Sequence, residues 1–160
     1  MKASFQLSSE GQEFVKKELK RYETKESAII PSLYRVQKEN GGWVSPEGIT
    51  HLSQLMDIPE SRINEVFHFY TMFNKEPVGK YHVQVCCNVA CSMAGTREMI
   101  EEFCKEHGVH ENEVTSDKRF TFTRVECLGA CDKAPMMQIN EDYHESLTMD
   151  KAKQILRGLK

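Results

Sequence analysis

The sequence predicts an α/β chain: a helical region first, then a region of similar length in which strands and helices alternate. Three observations carry this. Apolar residues recur at helical spacing through the first half of the chain, and the pattern turns to strict alternation at Tyr81-His82-Val83-Gln84-Val85. Between the two patterns lies Asn74-Lys75-Glu76-Pro77-Val78-Gly79, where proline and glycine interrupt regular structure. All six cysteines (Cys86, Cys87, Cys91, Cys104, Cys127 and Cys131) fall beyond that break. Charge is spread evenly over both halves, so cysteine usage marks a boundary that charge does not. The expected domains are 1–77 and 78–160.

The helical region can be justified element by element. Ser8 or Ser9 can cap a helix starting near Glu10, with Phe14, Val15 and Leu19 on one stripe and Lys16, Lys17 and Lys20 outside it. Ala28, Ile29, Leu33 and Val36 form a second stripe, ended by Asn40-Gly41-Gly42. Ser45-Pro46-Glu47 supplies a capping hydroxyl, a proline at the first helical position and an acid in the first turn. Ile49, Leu52, Leu55 and Met56 continue that helix. Pro59 opens a fourth, with Ile63, Val66, Phe67 and Tyr70 facing inward. The aromatic run 67–73 reads as a packed helix end or an inter-domain contact.

The second region gives the order β-α-β-β-α of a small α/β sandwich. Tyr81, Val83 and Val85 point to one face of a first strand. Met99, Ile100, Phe103, Cys104 and His107 mark one face of a helix over 95–107. Phe120-Thr121-Phe122-Thr123-Arg124-Val125 is rich in β-favouring residues. Met136-Met137-Gln138-Ile139-Asn140 reads as a short strand leading into a hairpin turn at 140–142, and 149–159 as a closing amphipathic helix. The acidic stretch 98–117 reads as a solvated helix face, and Met136-Met137 as core filling.

Composition limits what such a chain can do. With 160 residues, 39% hydrophobic and 28% charged, it can bury a core. A net charge of −3 argues against a general nucleic-acid binder. Mean hydropathy is −0.54, and no apolar run approaches the roughly 18 residues of a membrane span, so direct membrane insertion is not expected. The opening Met1-Lys2-Ala3-Ser4-Phe5-Gln6 lacks the apolar stretch of a secretory leader. Cysteines without a leader suggest metal binding or thiol chemistry in a reducing compartment. No glycine-rich nucleotide loop or hydrolase nucleophile motif is present, so no catalytic residue is assigned and nucleotide binding by this chain alone is not expected.

The chemistry gathers at Cys86-x4-Cys91, after the first strand, and Cys127-x3-Cys131, after the strand at 120. Two loops at the same ends of two strands can bring four thiolates to one place. Zinc sites more often use tight Cys-x2-Cys knuckles, whereas a cluster with two irons can be reached by one loop per iron. The spacing thus favours a [2Fe–2S] cluster and leaves structural zinc open. The small residues Asn88-Val89-Ala90 and Leu128-Gly129-Ala130 would let backbone N–H groups approach sulfur.

Phe69-Tyr70-Thr71-Met72-Phe73, Pro77-Val78-Gly79-Lys80-Tyr81, Val85-Cys86, Cys91, Glu126-Cys127-Leu128-Gly129-Ala130-Cys131, Ala134-Pro135 and Gly42-Trp43-Val44-Ser45-Pro46-Glu47 together resemble one family. It is the small [2Fe–2S] subunit of the NADH-dehydrogenase module of NADH:quinone oxidoreductase, respiratory complex I, with related chains in NAD-linked hydrogenases and formate dehydrogenases. The resemblance implies an N-terminal helical bundle that docks, followed by a thioredoxin-like ferredoxin domain whose cluster is held by Cys86, Cys91, Cys127 and Cys131. It also implies a larger partner subunit carrying FMN, the NADH site and a [4Fe–4S] cluster. The expected location is the peripheral arm of a membrane-bound complex, on the cytoplasmic or matrix-type side. The isolated chain is not expected to oxidise NADH. A free-standing shuttle ferredoxin and a zinc-stapled interaction module are the competing classes.

Strand parity separates Cys86 from Cys87. Cys87 continues the inward parity of Tyr81, Val83 and Val85, while Cys86 has the opposite parity and should face the loop that carries Cys91. Cys104 shares the apolar face of its helix and is expected to be structural.

Overall fold

The structure, a computed structural model, describes residues 5–159. Residues 1–4, on which the leader reading partly rests, lie outside that range. The chain divides between Pro77 and Val78 into two compact units, each with its own core.

The first unit is helical: α1 (Ser9–Arg21), α2 (Ile29–Glu39), α3 (Pro46–Met56) and α4 (Glu60–Phe69), with a 3-10 turn (Lys25–Ala28) leading into α2. Ser8 caps α1 by accepting the Gly11 N–H at 3.0 Å. The same serine donates its own N–H and Oγ–H to the Glu39 carboxylate at 2.7 and 2.8 Å, tying the start of α1 to the end of α2. Ser45 caps α3, with Pro46 in its first turn, and Asp57 in the left-handed region ends it. Val15, Ile29, Leu33, Val36, Leu52 and Ile63 are fully enclosed. Each such side chain stabilises the unit by about 1.5–3 kcal/mol relative to exposure. The aromatic run does not act as one block. Phe67 and Phe73 are buried in this core, whereas Phe69 is 77% exposed.

The second unit comprises β1 (Tyr81–Cys86), α5 (Val89–Met93), α6 (Thr96–His107), β2 (Phe120–Val125), β3 (Met137–Ile139), β4 (Asp142–His144) and α7 (Met149–Gly158). The sheet order is β2-β1-β3-β4. Strands β1 and β2 are parallel, in register from Tyr81 opposite Phe120 to Cys86 opposite Val125, and the connection that parallel pairing requires is supplied by α5 and α6. Strand β3 runs antiparallel to β1, and β3 and β4 form a hairpin whose turn places Asn140 at φ 54°. Val83, Val85, Phe122 and Met137 share one core with Ile100 and Phe103 of α6 and Ala152 and Leu156 of α7. At the entry to β1, a Cβ on Gly79 would meet the Phe120 backbone at 2.6 Å, so the approach of the two chains requires glycine there.

Two features depart from simple periodicity. His82 is buried despite its outward parity, and its Nε2 lies 2.9 Å from Thr123 Oγ1. Burial depresses its pKa to about 4. The acidic stretch is largely exposed, as expected, but several of its carboxylates also pair with bases. Lys153 of α7 sits 2.8 Å from Glu102 and 3.0 Å from Glu106, Arg157 sits 3.2 Å from Glu106, and Arg124 meets Glu111 at 2.7 Å. The reason is that α7 carries its bases beside α6, a tertiary fact that composition does not reveal. Among the described residues no helix is long and apolar enough to cross a membrane.

Candidate metal centre

Parallel pairing of β1 and β2 decides where the cysteines go. Both strands run in the same direction and end side by side, so the loops that follow them emerge together. The Cys87 N–H extends the ladder to Val125 O at 2.9 Å, and the Cys86 N–H donates to Met136 O at 3.3 Å. Neighbouring residues then fall on opposite faces. Cys87 packs, half-buried, against the main core of the sheet. Cys86 joins Cys91 and Met136 in a separate small buried cluster, bordered by Leu128, Ala130 and Ala134. Cys104 lies in the main core.

The first loop is a short helix. Asn88 Oδ1 caps α5 by accepting the Val89 N–H at 2.8 Å, and its Nδ2–H donates to Glu126 Oε2 at 3.0 Å, bridging the two cysteine loops. Ser92 Oγ–H donates to Cys87 O at 2.6 Å and closes the turn. This helix turns Cys91 inward, at 2% exposure, and leaves Val89 and Met93 outside.

The second loop is more open. Cys127 and Cys131 are exposed, with their sulfurs 3.7 Å apart. Gly129, at φ +84°, turns its N–H onto Cys127 Sγ at 3.3 Å. Only glycine adopts that backbone without strain. The loop is tied down from β4 and beyond: Tyr143 Oη–H donates to Leu128 O at 2.9 Å, and the Ser146 and Leu147 N–H groups donate to Lys133 O at 2.8 Å and Pro135 O at 3.0 Å. The Ala134-Pro135 bond is cis.

The cysteines thus fall into two pairs at the shared end of β1 and β2. Cys86 and Cys91 share the small buried cluster, and Cys131 lies beside Cys127 in the open loop. Burial, and next the neighbouring Cys86 thiol, push Cys91 up to about 11, against the pull of a hydrogen bond from the Met136 backbone. The contact with Cys127 raises Cys131 as well. Such thiols hold their protons until a metal displaces them. Among the described residues, no three His, Cys, Asp or Glu side chains close on one point as a single ion requires. Two thiol pairs are a donor set that suits a group with two metal positions, and the Gly129 N–H is aimed at the Cys127 sulfur.

Periodicity had no handle on α5, which is shorter than the window that reveals a helix, although Asn88 is a residue type that favours such a cap. Nor did it reveal the anchoring of the second loop by Tyr143, which joins residues 15 positions apart.

A small α/β domain whose paired parallel strands end in two cysteine loops is of the thioredoxin-like ferredoxin class. The family model for a thioredoxin-like [2Fe-2S] ferredoxin matches residues 15–160. The chain is 43% identical over 145 residues to the E-type subunit of NADH-quinone oxidoreductase from Rickettsia bellii, covering 89% of this chain and 86% of that relative. It is 44% identical over 135 residues to the corresponding protein of Rickettsia conorii, covering 84% and 81%. It is 40% identical over 159 residues to the mitochondrial NADH dehydrogenase [ubiquinone] flavoprotein 2 of Dictyostelium discoideum, covering 98% of this chain and 64% of that one. A crystal structure of an NAD+-reducing [NiFe]-hydrogenase in the air-oxidized state superposes with a TM-score of 0.70 at 19% identity, over 81% of this chain and 22% of that chain. That likeness is one of fold. The chain belongs to the thioredoxin-like [2Fe-2S] ferredoxin family, together with the E-type subunits of NADH-quinone oxidoreductase.

Proposed function

We propose that this chain is an electron-transfer subunit of an NADH-quinone oxidoreductase, holding one [2Fe–2S] cluster on Cys86, Cys91, Cys127 and Cys131. The observation that supports this is that one buried thiol pair, Cys86 and Cys91, and one exposed pair, Cys127 and Cys131, follow the adjacent ends of β1 and β2. When bound, such a cluster takes up and releases one electron at a time. The chain's own residues do the rest. The two cysteine pairs would supply the ligands. The Gly129 N–H, which donates to Cys127 Sγ, would stabilise negative charge on that sulfur, and more so in a more negative reduced state. Met136 and Leu128 keep water from the inner pair.

A division of labour goes with this reading. The sequence offers no dinucleotide or flavin motif, so hydride chemistry belongs to a partner subunit that carries FMN, the NADH site and a [4Fe–4S] cluster. The chain's four cysteines would hold its cluster where it could exchange electrons with that flavin. The helical unit 1–77 serves as the docking element, within the peripheral arm of a membrane-bound complex on the cytoplasmic or matrix-type side. The test is reconstitution. The purified chain alone should not oxidise NADH, and adding the flavin-bearing partner should give NADH:acceptor activity together with stable co-elution. Robust NADH turnover by the chain alone would overturn this reading.

A further inference from the structure

We infer that Tyr143 is a positioning residue for the metal centre: its hydroxyl sets the peptide whose N–H stabilises charge on Cys127. The inference rests on the cluster assignment above and extends it to a residue outside the cysteine loops.

The geometry is simple. Leu128 C=O and Gly129 N–H belong to one peptide unit, which is planar, so its oxygen and its hydrogen point in opposite directions. Tyr143 Oη donates to that oxygen at 2.9 Å, and the hydrogen at the other end meets Cys127 Sγ at 3.3 Å. Fixing one end fixes the other. Donation into the carbonyl also polarises the peptide and strengthens its N–H as a donor. The restraint matters because the loop is otherwise easy to turn. Gly129 has φ +84° and no atom within 4 Å of where a Cβ would sit, so on its Gly129 side this peptide is not held by side-chain packing. Tyr143 itself is held by β4, where it is registered opposite Gln138. Its ring is half exposed, so the hydroxyl is not needed there to satisfy a buried polar atom.

A hydrogen bond to a ligand sulfur favours the reduced, more negative state, so weakening it lowers the reduction potential. The full-length chain carrying Tyr143→Phe, prepared anaerobically, should keep wild-type iron and sulfide. At a fixed solution poise its reduced-to-oxidised ratio should fall roughly threefold, about 28 mV by the constant of 59 mV per tenfold for one electron. Tyr143→Ala should shift the potential no further than Tyr143→Phe, because the hydroxyl is the acting group. An unchanged potential in Tyr143→Phe, or a shift seen only with Ala, overturns the inference. Should Tyr143→Phe fail to retain metal, the metal-free full chain decides. Its Gly129 amide should exchange with deuterium faster in the variant than in wild type, and equal exchange overturns the inference. A wild-type chain that binds no iron and sulfide refutes the cluster assignment instead, and leaves the exchange experiment to judge Tyr143.

Discussion

The two cysteine loops hold the same number of thiols in opposite surroundings. Cys86 and Cys91 are each 2% exposed, packed on Met136 beside the end of β1, whereas Cys127 and Cys131 are exposed in a loop held by backbone and side-chain hydrogen bonds. The inner pair is part of a core and the outer pair is a surface feature. On the proposed reading, the inner loop anchors the cluster to the fold and the outer loop presents it to a partner. The contrast also separates two roles that cysteine plays in this chain, since Cys87 and Cys104 are also shielded but belong to the other core.

The largest expected effect comes from breaking each loop in the metal-free chain. Cys91→Ser places a hydroxyl in an apolar cluster and should cost about 1–3 kcal/mol in urea unfolding, whereas Cys127→Ser, at the surface, should stay within about 0.5 kcal/mol of wild type. Equal losses would erase the distinction between the loops. In the metal-loaded chain both variants should lose the cluster, or hold it with one oxygen ligand and a shifted absorption spectrum.

A pH-dependent effect of no larger size should come from His82, on the same strand as Cys86. Its folded pKa, depressed to about 4 by burial, lies below the unfolded value of about 6.5. Between those values the unfolded chain binds more protons, so stability present above about pH 6.5 is lost as pH falls toward 4, by at most about 3 kcal/mol. Unfolding free energies at pH 7 and pH 5 should differ less in His82→Asn than in wild type. An identical pH slope in both would show that this histidine does not carry the effect.

The smallest effect is expected at the other core. Cys87→Ser and Cys104→Ser should leave the visible absorption and the reduced-state paramagnetic signal unchanged. If Cys87→Ser altered the spectrum and Cys86→Ser did not, the ligands would have to be rewritten as Cys87, Cys91, Cys127 and Cys131.

Much of this contrast was legible in the sequence, for physical reasons that differ by residue. Ser8, Ser45 and Pro46 are local signals, and the helices they start follow from capping chemistry alone. Strand parity placed Cys86 and Cys87 on opposite faces, because alternation in a strand is geometric. Parity did not foresee that the face carrying Cys86 is buried too, since that depends on Met136 arriving from β3 side by side with β1. The pairing of Glu102 with Lys153 and of Glu106 with Arg157 was equally hidden, because each joins residues 51 positions apart. Tyr143 carried no motif at all. Its role rests on one hydrogen bond that only the folded hairpin creates.

The central claim is that the paired thiols hold two irons, and metal and acid-labile sulfide analysis of the full chain tests it most directly. Anaerobically prepared protein should contain two irons and two sulfides per chain, be red-brown, and give an S = 1/2 signal on reduction with dithionite. Stoichiometric zinc without sulfide, in a colourless protein, would contradict it.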